Sequence, residues 1–93
     1  MHESFDEIER FIISKVKEIR ESKGITQEQL SLSLGKNISY ISQIEAQSKT
    51  AKYNISILNL VAIVLDCSPK DFWPEFPIKD EKHKEIRIYN SKT

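Results

Sequence analysis

Between Asn37 and Ala46 the chain sets its short polar side chains at helical spacing. Ser39, Ser42 and Gln43 fall on one side with Ile38 beside them, and Ile41 and Ile44 fall on the other. Hydroxyls and a primary amide become nucleophiles only when a base is held against them. The chain offers no nucleophile–base pair, no glycine-rich phosphate loop and no carboxylate pair that a pocket would hold, so an enzyme is not expected. His2 and His83 lie in terminal polar segments, without ligand spacing to each other or to the lone Cys67, and no metal site is expected. What these residues can do is form hydrogen bonds, without a cofactor and without a small-molecule ligand. Charge gives a divided indication. Fourteen basic and fourteen acidic side chains cancel over the whole chain, which speaks against a polyanionic partner. From Ile25 to Leu65, however, Lys36, Lys49 and Lys52 face only Glu28 and Glu45, and all three lysines flank the polar segment.

Such a face needs elements that hold it still. Ninety-three residues make one domain, and two glycines with three prolines favour a few helices over many short strands. Ser4-Phe5-Asp6-Glu7 reads as a capping box, followed by the stripe Phe5, Ile8, Ile12, Val16 and Ile19, so a first helix is expected over about residues 5–22, stopped by Gly24. A second box, Thr26-Gln27-Glu28-Gln29, opens a helix carrying Leu30 and Leu34 inward, and Gly35 ends it. Asn37 can cap a third helix over Ile38–Ala46. After a polar loop, Asn54 can cap a fourth over Ile55–Asp66, with Ile55, Leu58, Val61, Ala62 and Leu65 inward. Its apolar run of 11 residues is a core helix, since a bilayer takes about 20. Ser68-Pro69 starts a fifth, single-turn helix that Pro74 ends. The class is therefore all-α with five helices, a domain over 1–74 and a tail over 75–93. In that tail Lys79–Lys84 reads as a solvated charge run. Glu85–Tyr89 alternates, as a strand pairing with another copy would, or else it is unstructured. An acidic N-terminus without a leader pattern and a single cysteine point to the cytoplasm.

The second and third helices, joined by a tight turn at Gly35, have the geometry of a helix-turn-helix. The turn must fix the angle of the third helix, and a small residue, Ser31, is available where the two backbones cross.

At this point Arg20 to Phe72 resembles the Cro/phage-repressor type of helix-turn-helix domain, the XRE-like family, a lambda-repressor-like fold. The resemblance runs through Arg20…Gly24-Ile25-Thr26-Gln27-Glu28-Gln29-Leu30-Ser31…Leu34-Gly35, then Tyr40-Ile41-Ser42-Gln43-Ile44-Glu45, then Leu58…Val61-Ala62…Leu65…Ser68…Phe72. It implies five helices, sequence-specific binding of double-stranded DNA through the third helix in the major groove, and a transcriptional regulator, most often a repressor, acting as a homodimer. Thr26 and Gln27 would then meet a phosphate, as would Asn37. Ile38, Ser39, Tyr40, Ser42 and Gln43 would stand at or beside the positions that reach base edges, with Gln43 able to pair with adenine and Ile38 able to lie against a thymine methyl. Lys36, Lys49 and Lys52 would supply cations to the DNA backbone. Arg20 and Glu45 match a pair that bridges the first helix to the end of the third.

Four departures stand out, one of them that the loop Ser48 to Asn54 lacks its common Pro-Ser. Lys36 takes the place of a small aliphatic and must snorkel. Ala46-Gln47 replaces the glycine usual after the third helix. Leu32 stands at an outer position that is usually polar. Trp73 and Phe76 either cover the base of the core or join a dimer surface. A different class of reading is also open, in which the same fold binds a protein, for instance as the antitoxin partner of a toxin.

Overall fold

A computed structural model describes residues 5–47 and 50–83. It contains four α-helices: α1 (Glu7–Ser22), α2 (Gln27–Ser33), α3 (Tyr40–Ala46) and α4 (Ile55–Leu65). Two short 3-10 turns follow, Pro69–Phe72 and Glu81–His83, and no strand occurs among the described residues. The fold is all-α, with four helices where five were expected. Pro74 explains the missing one: the residue before a proline is pushed into extended backbone, and Trp73 sits at φ −100°, ψ 148°. Four residues between that point and the Ser68 cap are too few for a run of α-helical bonds, so the segment tightens into a 3-10 turn.

The first helix starts later than expected. Two overlapping boxes compete in Ser4–Glu9, and it is Asp6 that caps, accepting the Glu9 N–H while the Glu9 carboxylate accepts the Asp6 N–H. Starting there releases Phe5 from the helix and lets it turn inward, almost wholly buried against Ile13 and Ile44. The main core joins Ile12 and Val16 of α1 to Leu30 of α2, Ile41 of α3, the inner side of α4 and Phe72.

In α4 the inward residues are Ile57, Leu58, Val61, Ala62 and Leu65. Ile55, expected among them, is 81% exposed. It is the first residue of α4, and at 3.6 residues per turn it lies roughly 90° from the centre of the inward face, past its edge at the open end of the helix. Cys67 is half-buried against the core, and burial pushes its thiol up from the ordinary value.

Residues 75–83 return to α1. Asp80 Oδ2 accepts the Glu7 N–H at 2.7 Å, and His83 Nε2 lies 3.3 Å from Asp6 Oδ2. Within the charge run read as solvated, Glu81–His83 form a 3-10 turn that is itself exposed, beside the start of α1. The alternating segment Glu85–Tyr89 lies outside the described residues.

Candidate nucleic-acid interface

Three contacts hold α3 in place. Glu45 takes Arg20 in a fork, Nε to Oε2 and Nη2 to Oε1, both at 2.9 Å, and the Arg20 Nη1 donates to the Ile25 carbonyl at 2.8 Å. That hydrogen bonding outweighs burial and raises the guanidinium pKa above its ordinary value. The same Glu45 Oε1 accepts from Gln27 Nε2 at 2.8 Å, which ties the first turn of α2 to the same carboxylate. At the crossing of α2 and α3, Ser31 is wholly buried; its Oγ accepts the Ile41 N–H and donates to the Gln27 carbonyl, both at 2.9 Å. A larger side chain would push α3 away, and an apolar one would leave the Ile41 N–H unsatisfied.

The turn between the helices uses Gly35 at φ 72°, a left-handed conformation that glycine enters without steric cost. Asn37 closes that turn, although not as the helix cap: its Oδ1 accepts both the N–H and the Oγ–H of Ser39, at 2.9 and 2.8 Å. Its carbonyl takes the Tyr40 N–H, so α3 begins at Tyr40, two residues later than expected. At the other end Gln47 stands in the left-handed region at φ 54°, where the family usually has glycine. For a side chain with a Cβ that conformation costs roughly 1–2 kcal/mol.

On this scaffold Ile38, 54% exposed, and Ser39 in the turn before α3 stand beside Ser42 and Gln43 on its outer face. A chain of hydrogen bonds runs along it, from Gln43 Nε2 to Ser39 Oγ at 3.2 Å and from Ser39 Oγ–H to Asn37 Oδ1. Gln43 is exposed and keeps its amide oxygen and second N–H for an outside group. Ser42 Oγ donates back to the Ser39 carbonyl. Tyr40 is half-buried against both core clusters, and burial raises its hydroxyl pKa. Lys36 lays its ammonium 5.5 Å from the Tyr40 ring centroid, which is how a lysine is accommodated where the family has a small aliphatic. Thr26 is exposed and caps α2 in a reciprocal box with Gln29.

Lys36, Asn37, Ile38, Ser39, Ser42 and Gln43 thus come together. Lys52 is engaged elsewhere, 2.9 Å from Glu9 Oε2 of α1 and over the Phe5 ring. Lys49 lies outside the described residues. The Gln27–Glu45 bond was missed in the sequence, because nothing in the local spacing points from residue 27 to residue 45. The Ser39–Gln43 pair does carry a signal, the i, i+4 spacing of two polar side chains on one helix. The Tyr53 hydroxyl is shut off from solvent with no hydrogen-bond partner among the described residues, and burial pushes its pKa well above the ordinary tyrosine value. His83 does acquire carboxylate neighbours: its ring nitrogen and oxygens of Asp6 and Asp80 lie within 4.8 Å of one another. Those carboxylates are already accepting N–H bonds from Glu7, Glu9 and Lys82.

A short helix fixed by a buried ion pair, lying across a second helix and showing a polar face, defines a helix-turn-helix DNA-binding domain. Residues 16–72 match the family model described as Helix-turn-helix (HTH_3), of the XRE, Cro/repressor type, and the chain belongs to that family. No curated protein and no solved structure matches it. Among the described residues no helix is long and apolar enough to cross a membrane.

Proposed function

We propose that the chain is a sequence-specific transcriptional repressor that reads the DNA major groove with α3 and acts as a homodimer. The observation that carries this reading is the exposed Gln43–Ser39–Asn37 chain of hydrogen bonds, running from the turn before α3 onto a helix that Arg20, Glu45 and Ser31 fix in place. A side-chain amide held by one N–H retains an acceptor and a donor in one plane, the pair that adenine N6 and N7 match. Ser39 and Ile38 stand beside it for a neighbouring base and a thymine methyl. Gln27, Thr26 and Asn37 contact phosphates, and Lys36, Lys49 and Lys52 supply the cations. A single α3 offers only a few base-reading side chains, so two copies on half-sites one helical turn apart, about 34 Å, give the required specificity.

Affinity measured against salt tests this reading. If Lys36, Lys49 and Lys52 of two copies all neutralise phosphates, log K falls against log salt with a slope of about −5; if Lys52 stays with Glu9, about −4. Glu9→Gln releases Lys52 and should move the slope toward the steeper value. No measurable DNA binding at low salt would end the proposal. A slope near −10 would mean that tail lysines such as Lys79 and Lys82 join the contact and that the face mapped here is wrong.

A further inference from the structure

The hydrogen bonds joining Asn37, Ser39 and Gln43 have a direction, and the backbone fixes it at one end. The Ser39 N–H can only donate, and it meets Asn37 Oδ1 at 2.9 Å, so the Asn37 amide must turn its oxygen toward Ser39. The Ser39 hydroxyl lies 2.8 Å from the same Oδ1 and gives its single proton to that oxygen. Oγ then has only lone pairs left for Gln43, 3.2 Å away, and the Gln43 amide must turn an N–H toward it. Ser42 does not disturb this order, because its own Oγ–H goes to the Ser39 carbonyl. At the exposed end, Gln43 therefore presents its carbonyl oxygen and one remaining N–H. The major-groove edge of adenine, with the N6 donor beside the N7 acceptor, matches that pair. Guanine offers N7 and O6, both acceptors, and O6 would face the Gln43 oxygen with no proton between them.

We infer that Asn37 is a positioning residue for base choice: by taking the Ser39 proton it orients the Gln43 amide and sets adenine above guanine at one position of each half-site. Asn37 does this from the turn before α3, through Ser39, without touching that base. Without the Asn37 oxygen, the Ser39 hydroxyl is free to donate to Gln43 Oε1. The amide then turns over and points only N–H groups outward, which suits the two acceptors of guanine. The assignment rests on the DNA reading proposed above and adds to it which residue decides the base. The phosphate contact proposed for Asn37 would use its other amide atom, Nδ2, so the two roles can be separated by substitution. Asn37→Asp keeps an oxygen to accept from Ser39 and preserves the direction of the chain, whereas Asn37→Ala removes it. Ser39→Ala breaks the chain while leaving the bond from the residue 39 N–H to Asn37 in place.

The test is competition between two duplexes that carry the sequence enriched by the wild type. They differ only in having A·T or G·C at the position where Gln43→Ala relaxes the preference. The wild type should favour A·T by about 5- to 150-fold, the range for one good bidentate pair. Asn37→Ala and Ser39→Ala should each bring that ratio to within about threefold of equality, and Asn37→Asp should keep it. The carboxylate of Asn37→Asp repels phosphate and weakens both duplexes alike, as does any loosening of the start of α3, so the ratio reports the amide orientation alone. Circular dichroism should show the same helix content in all four proteins. A wild-type ratio in Asn37→Ala or in Ser39→Ala would overturn the assignment, and so would an Asn37→Asp that loses the ratio as Asn37→Ala does. If the wild type prefers A·T and Asn37→Ala prefers it equally, the DNA reading stands and the role of Asn37 falls. A wild type that binds neither duplex, or shows no preference at any position, ends both.

Discussion

Arg20 and Glu45 meet at 2.9 Å with their side chains only 7% and 3% exposed, so that one carboxylate joins α1, α2 and α3. Removing one member of a buried pair leaves the other charge without compensation, at about 3–5 kcal/mol, against under about 1 kcal/mol for a surface pair. Glu45→Ala should show the larger loss in urea unfolding, since it strands the Arg20 guanidinium and the Gln27 amide together. A loss below about 1 kcal/mol would mean that the pair does not hold α3 in place.

Ser31→Ala should destabilise by about 1–3 kcal/mol, the cost of burying the Ile41 N–H without an acceptor. Replacing the hydroxyl by hydrogen is otherwise a small change in volume, so a loss under about 0.5 kcal/mol would show that the hydroxyl does not fix the crossing. Ser31→Leu should be worse, because no space remains between α2 and α3 at a fully buried position.

How much of this was legible in sequence follows the range of each interaction. Gly24, Gly35 and the Thr26–Gln29 box act within a few residues and mark the limits of α2 from composition alone. The start of α1 was misplaced because Ser4–Glu7 and Asp6–Glu9 overlap, and only the burial of Phe5 decides between them. The inward position of Ile55 was an error of periodicity at a helix end, where a run that is apolar on every side gives no phase. The face of α3 was readable because Ser39, at the N-cap, and Gln43, one turn on, stand at i, i+4 spacing. The engagement of Lys52 by Glu9, 43 residues away, and of Asp6 by His83, 77 residues away, depends on tertiary packing that no local pattern contains.

That last contact gives a prediction about acid. For Asp6, burial pushes the pKa up, but hydrogen bonds from His83 and from Glu9 outweigh it and hold the carboxyl below its ordinary 3.8. For Asp80, the N–H groups of Lys82 and Glu7 do the same. A carboxyl with a folded pKa below its unfolded value contributes stability above the unfolded value and loses it as pH falls through the folded one. The gap in melting temperature between wild type and the double variant Asp6→Asn, Asp80→Asn should therefore be present at about pH 5 and close as the pH falls below the ordinary 3.8. A gap that widens toward acid would contradict the assignment.

Selection from random duplexes with wild type and Gln43→Ala in parallel tests most directly whether Gln43 reads a base from a helix held still. The wild type should enrich a two-fold sequence with half-sites about one helical turn apart. Gln43→Ala should relax the preference for one adenine-bearing position in each half-site, costing about 1–3 kcal/mol on the best wild-type sequence and little on unselected DNA. An identical enriched sequence from both proteins, or none from either, would contradict the claim that α3 reads DNA through this residue.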